Sequence, residues 1–250
     1  MPFVELTRGR MWYEEAGSGP PLVCLHSGWG RAVMPFDDAR EVLAASWRLV
    51  FPDRFGYGRS DPVDRLPLDY HARAAEDLLE LLERLGIPSA ILWGHSDGAV
   101  TAALLAAARP ERVRALVLEA AHFYRAKSGQ FFARHAADPE ALPAHVKELL
   151  AADHGSRWAD VVRMHSRVWL ELHAVGGDFY EGGLARIACP TLVLHGARDP
   201  HTPVEEIREL ARRIRGAILQ ILPDGGHSPH SEPVTARRCS DEVRRSLLSC

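Results

Sequence analysis

The chain has 250 residues, a formal net charge of -3 and four cysteines. That length fills one sizeable core without demanding a second full domain, and the slight acidity argues against nucleic acid as a main partner, since phosphate binding needs a marked basic excess. No apolar stretch reaches membrane-spanning length. The opening Met1-Pro2-Phe3-Val4-Glu5 lacks the basic and apolar regions of a secretory leader. Cys24, Cys189, Cys239 and Cys250 follow neither metal-ligand spacing nor a disulfide scaffold's density, so the expected compartment is the cytoplasm.

Phe3 to Arg10 and Met11 to Glu15 alternate as a strand pair does, and Gly17 to Pro21 turns the chain. Leu22-Val23-Cys24-Leu25 is a continuous apolar run, the pattern of a strand buried on both faces. It ends in His26-Ser27-Gly28-Trp29-Gly30, a turn that can offer bare backbone N–H groups to an oxyanion; an ordinary loop with a structural His26 is the competing reading. Asp37 to Ser46 predicts a helix, Trp47 to Pro52 a buried strand and Asp53 to Pro62 a turn-dense loop. Asp69 to Leu85 has helical periodicity, with Gly86 at the position of a C-terminal cap. The apolar run Ile91 to Trp93 and the alanine-rich helix Ala99 to Ala108 meet at Gly94-His95-Ser96-Asp97-Gly98. G-x-S-x-G at such a join is the pattern of a nucleophile elbow, in which Ser96 projects from a strained strand-to-helix turn. Cβ atoms at Gly94 or Gly98 would collide where strand and helix cross. Val113 to Leu118 follows as a strand, and the alternation implies a mostly parallel sheet with helices on both faces.

From His122 to Arg186 that rhythm gives way to helical patterns rich in aromatic residues and in histidine (His135, His145, His154, His165, His173). We expect a helical cap over residues 122–186, inserted into a core of 1–121 and 187–250, roofing the strand ends where open α/β folds bind ligands. The cap histidines form no H-x-x-x-H or cysteine-histidine cluster, and His227 with His230 lacks an evident third ligand, so no metal is expected. The strand Pro190 to His195 runs into Gly196-Ala197-Arg198-Asp199-Pro200. Thr202-Pro203-Val204-Glu205 reads as a capping box that leaves Asp199 in the preceding loop. Ala217 to Leu222 is the last strand, His227 lies on the glycine-rich loop behind it, and Ser231 is expected to cap the closing helix.

Ser96, Asp199 and His227 thus each follow a predicted strand, in the order nucleophile, acid, base. At these residues, and at the His26 to Gly30 turn, the Asp53 to Ser60 loop, His195 to Asp199 and Gly226-His227, the chain resembles the α/β-hydrolase superfamily over nearly its whole length. The resemblance implies an α/β-hydrolase fold and a serine hydrolase of small carboxylic esters that needs no metal or organic cofactor. It assigns the oxyanion donors to the backbone N–H groups of Asp97 and Gly28, with Trp29 as alternative because Ser27 stands where glycine is usual. Ser96-Asp97 and the run Leu118 to Tyr124 are most similar to valacyclovirase-type hydrolases of α-amino-acid esters, in which the acid after the nucleophile holds the substrate ammonium. Asp97 matches that position; its other reading is an aspartate favoured by the helix dipole. Trp29, Glu119, Phe123 and Tyr124 join Asp97 as expected substrate contacts, and Glu119 is also a second candidate for the acid. Other acyl substrates (lactone, thioester, amide, a C–C bond beside a ketone) and a hydrolase-fold binding protein stay open, as does the choice between monomer and homo-oligomer.

Overall fold

The computed structural model describes residues 3–248, so Met1-Pro2 and Ser249-Cys250 lie outside the described residues. Eight strands, β1 (Phe3–Leu6), β2 (Gly9–Ala16), β3 (Pro21–Leu25), β4 (Arg48–Pro52), β5 (Ala90–His95), β6 (Val113–Glu119), β7 (Thr191–Gly196) and β8 (Ile218–Leu222), form one sheet ordered β1-β2-β4-β3-β5-β6-β7-β8. The β1–β2 and β2–β4 pairings are antiparallel and all others parallel. β5 and β7 are buried along their whole length, which is why they read as unbroken apolar runs. The first turn falls at Thr7 and Arg8, earlier than the expected break at Arg10, because Gly9 adopts φ +137 and the Thr7 N–H is taken by the Glu80 carboxylate, 2.9 Å away.

Helices α1 (Asp37–Leu43) and α8 (Ala236–Leu248) cover one face. Helices α2 (Tyr70–Arg84) and α3 (Asp97–Ala108) cover the other, where Leu78, Leu81 and Leu82 of α2 pack with Ala99, Ala103 and Ala106 of α3. α3 is buried on nearly all sides, and its alanines let strand and neighbouring helix approach closely. α4 (Gly129–Ala137), α5 (Ala144–His154) and α6 (Trp158–Val175) stand between β6 and β7. α7 (Val204–Arg213) connects β7 to β8. None of the described helices is long and apolar enough to cross a membrane.

Two expected caps are corrected. α7 begins at Val204 with extended Pro203 in the capping position and no side-chain cap, because the Thr202 hydroxyl is engaged by His122. Ser231 lies in a turn, its Oγ bonded to the Ser228 carbonyl at 3.2 Å, and α8 starts only at Ala236.

Candidate active site

β5 delivers the chain into Ser96 at φ 55, ψ -116, and α3 begins at the next residue. A non-glycine residue in that region is strained and persists only where its surroundings over-determine it. Here the Ser96 N–H is tied to the Glu119 carbonyl at 2.9 Å, and the Ser96 carbonyl accepts the Ala99 N–H at 2.9 Å. The flanking glycines are steric necessities. A Cβ on Gly94 would lie 2.5 Å from the Ala99 nitrogen, and one on Gly98 2.8 Å from the His26 carbonyl oxygen.

His227 reaches over the sheet from the loop after β8, which the Glu232 carboxylate holds by accepting the N–H groups of Gly226 at 2.7 Å and Ser228 at 2.9 Å. Its Nε2 lies 3.1 Å from Ser96 Oγ and its Nδ1 2.8 Å from Asp199 Oδ2. Asp199 sits just past β7, where Oδ1 accepts the N–H groups of His201 at 2.7 Å and Thr202 at 3.1 Å. Burial would raise its carboxyl, but the His227 hydrogen bond and charge outweigh that and bring it down to about 2. An ionised Asp199 takes the Nδ1 proton, which leaves Nε2 as the acceptor facing the serine hydroxyl.

Ser96 and His227 floor a cavity of about 360 Å³ whose walls come from α4, α6 and the turn after β3, with Trp29, Phe131, Phe132 and Trp169 the principal rings. A larger cleft of about 620 Å³ between the Gly56–Leu66 loop and α6 holds none of Ser96, Asp199 or His227. Gly28, Trp29 and Asp97 line the smaller cavity. The Asp97 N–H, at the first position of α3, has no intrahelical acceptor and is available to an oxyanion. Gly28 must be glycine: a Cβ would lie 2.5 Å from Asp97 Oδ2 and overlap the His165 ring. His26 is engaged in holding this turn, its Nε2 accepting the Arg54 N–H at 3.0 Å while Nδ1–H donates to the Ser27 carbonyl at 2.6 Å.

The Asp97 carboxylate is buried, with Oδ1 accepting the Tyr70 hydroxyl and His71 Nε2–H (2.6 Å), and Oδ2 lying 3.7 Å from His165 Nε2. Burial opposes its ionisation; His165, the His71 hydrogen bond and Arg54 more than compensate and hold it well below the usual carboxylate range. Burial pushes His165 down to about 4 against the opposing pull of the Asp97 charge.

Three expected substrate contacts lie elsewhere. Glu119 is wholly buried, and its carboxylate accepts Trp93 Nε1–H at 2.8 Å and both the N–H and Nδ1–H of His230 at 2.9 Å. Side chains alternate along a strand, so Glu119 shares the α1/α8 face with Ala115 and Val117, away from the cavity and from His227. Phe123 is buried against Tyr124 and Tyr180, with its N–H donated to Glu206 at 2.7 Å. Tyr124 is largely exposed, and neither ring lines the cavity. His230 likewise turns away from His227. Among the described residues, His95, Glu119 and His230 bring ligand atoms within 4.8 Å of one another, but the Glu119 oxygens are already engaged by three N–H donors.

Sequence reasoning passed over His122, whose Nε2 lies 3.0 Å from Ser96 Oγ. The available signal was its position: β6 lies beside β5, so a residue just past Glu119 emerges next to the elbow. It also passed over the buried ion pair of Lys127 with Glu206, which joins the segment after β6 to α7.

Residues 22–237 match the family model of the alpha/beta hydrolase family. Over 232 residues the chain is 27% identical to serine hydrolase BPHL of Homo sapiens, covering 88% of this chain and 78% of that protein. It is 31% identical over 239 residues to the putative carbamate hydrolase RutD of Pseudomonas savastanoi pv. phaseolicola, covering 87% of this chain and 91% of the relative. Among solved structures, a hydrolase from Pseudomonas aeruginosa PA01 superposes with a TM-score of 0.78 at 24% identity, covering 98% of this chain and 97% of that one. That last likeness is one of fold.

Proposed function

The chain belongs to the alpha/beta hydrolase family, and from that premise we propose that it cleaves carboxylic esters of small molecules through an acyl-enzyme on Ser96. The observation behind this reading is the series Ser96 Oγ, His227, Asp199, linked at 3.1 and 2.8 Å, with Ser96 and His227 lining a cavity of about 360 Å³. A free serine hydroxyl is a poor nucleophile near neutral pH, so His227 Nε2 takes its proton as Oγ attacks the ester carbonyl. Asp199 holds the ring in the required tautomer and stabilises the imidazolium. The Asp97 N–H, with that of Gly28 or Trp29, receives the oxyanion. Collapse expels the alcohol with the proton from His227. Water then attacks the acyl carbon, giving its proton to His227, and Ser96 recovers the proton as the acid departs. The relatives' printed names, serine hydrolase and carbamate hydrolase, are compatible with attack of this kind.

Within this class, α-amino-acid esters are the substrates we propose. Asp97 Oδ2 carries no hydrogen bond among the described residues, and Asp97 borders the cavity next to Ser96, so an ammonium beside the scissile carbonyl has a carboxylate to meet. The test is a panel of matched aryl esters, thioesters, lactones and aminoacyl esters, with Ser96→Ala as control. Turnover of the esters, reduced on the order of 10⁴-fold or more in the variant, is the expected result. Ester hydrolysis at the wild-type rate by Ser96→Ala would end the proposal.

A further inference from the structure

Ser96 has a second imidazole partner. His122 Nε2 lies 3.0 Å from Ser96 Oγ, slightly nearer than His227 Nε2 at 3.1 Å, and the two rings are near parallel with centroids 5.9 Å apart. The far side of the His122 ring is fixed by Thr202 Oγ1, 2.9 Å from Nδ1, and its edge by Trp169, 4.9 Å between centroids. His122 and Thr202 are both buried, so each proton among these groups must find an acceptor inside the protein.

One arrangement satisfies them all. The Thr202 hydroxyl has no other acceptor among the described residues, so it donates to Nδ1 of His122. Burial and the Lys127 charge hold His122 well below the ordinary imidazole range, so the ring carries one proton, which then sits on Nε2. His122 Nε2–H donates to Ser96 Oγ, Ser96 O–H donates to His227 Nε2, and His227 Nδ1–H donates to Asp199. In the opposite tautomer two ring acceptors would compete for the single serine proton, and the threonine proton would be buried without a partner.

We propose that His122 is a catalytic residue of the deacylation half-reaction, a fixed donor to Ser96 Oγ that stabilises this oxygen as it leaves the acyl carbon. The proposal rests on the acyl-enzyme reading above. In the free enzyme Oγ is a hydroxyl that already accepts the His122 hydrogen bond, so on attack the bond strengthens only by the difference between a hydroxyl and a partly charged oxygen. In the acyl-enzyme Oγ is the alkoxy oxygen of an ester and a weak acceptor. It becomes more basic when water makes the carbon tetrahedral, and takes up negative charge as the C–Oγ bond breaks, before His227 returns the proton. An interaction accelerates a step by the amount it strengthens between ground and transition state, and the change from ester oxygen to departing alkoxide is the larger of the two, so deacylation gains more than acylation. His122 neither gains nor loses a proton in the cycle.

The experiment is stopped-flow hydrolysis of p-nitrophenyl butyrate by the full chain, in which nitrophenolate release separates acylation (burst) from deacylation (steady state). Ser96→Ala should show no burst; a persisting burst overturns the acyl-enzyme reading itself, independently of His122. His122→Ala should keep the burst rate within about threefold of wild type and lower the steady-state rate roughly 10- to 100-fold, the size expected for one hydrogen bond to a charged oxygen. His122→Gln, which retains an N–H at that reach, should recover most of the loss. Equal slowing of both phases by His122→Ala, no slowing of either, or failure of His122→Gln to recover the steady state each overturns the role. The ring itself gives a test independent of variant folding: ¹⁵N spectra of histidine-labelled protein should show His122 protonated at Nε2 only, and the Nδ1 tautomer contradicts the proposal.

Discussion

Replacing Glu119 with glutamine should weaken the fold while leaving the reacting groups intact. Its carboxylate receives three N–H donors, Trp93 Nε1 at 2.8 Å and the backbone and ring nitrogens of His230 at 2.9 Å, all out of solvent. Burial alone would raise the carboxyl, yet the His230 charge and hydrogen bonds bring it from 4.5 down to about 2. By linkage that difference corresponds to about 3 kcal/mol at neutral pH, at the lower end of the roughly 3–5 kcal/mol lost when one partner of a buried pair is removed. His230 is displaced the other way: burial would lower it, but Glu119 holds it above 6.5. The two shifts describe one interaction and are not summed. The Glu119 contribution is present above 4.5 and lost as pH falls towards 2, while that of His230 is full below 6.5 and lost as pH rises through its elevated value. The deficit of Glu119→Gln is therefore widest between about pH 4.5 and 6.5 and shrinks on either side. For a chain of this size 1 kcal/mol moves Tm by about 2–4 °C, so thermal melts at about pH 5.5 should differ by roughly 6–12 °C. A difference under about 2 °C there, or one that widens in alkali, would refute the reasoning.

Three further outcomes follow from the same geometry. Asp199→Asn should lower kcat/KM for a nitrophenyl ester on the order of 10⁴-fold, because the amide favours the wrong tautomer of His227; Glu119→Gln, assayed below its melting range, should keep at least about a tenth of wild-type turnover. Asp97→Asn should cost roughly 10²-fold on α-aminoacyl esters, the worth of a charge-assisted contact, and under about threefold on matched acyl esters, as competition assays with paired substrates will read. Gly98→Ala, whose Cβ would press on the Leu25 and His26 carbonyls, should cost several kcal/mol in denaturant titration, since backbone on both sides cannot give way.

Much of this molecule is legible in its order of residues because parallel strands buried on both faces leave unbroken apolar runs, as at Leu22 to Leu25 and Leu192 to Leu194. The family and the sheet architecture expected from those runs and from the Gly94 to Gly98 elbow are those observed. What could not be read is which way a side chain points beyond the last residue of a strand. Glu119 and His122 are three residues apart at the end of β6, yet one turns to the α1/α8 face and the other meets Ser96. Periodicity orients the first, whose parity with Ala115 and Val117 was available; the second depends on the loop. Thr202 misleads for a related reason, since its hydroxyl serves either a helix end or a neighbouring ring, and only tertiary contact chooses.

The central claim, a covalent acyl group on Ser96, is tested most directly by rapid acid quench of the enzyme turning over p-nitrophenyl butyrate, followed by peptide mass spectrometry. The account predicts a butyryl adduct on the peptide containing Ser96, appearing with the nitrophenolate burst and absent from Ser96→Ala. Sustained ester turnover with that peptide unmodified throughout, or turnover undiminished in Ser96→Ala, would contradict it.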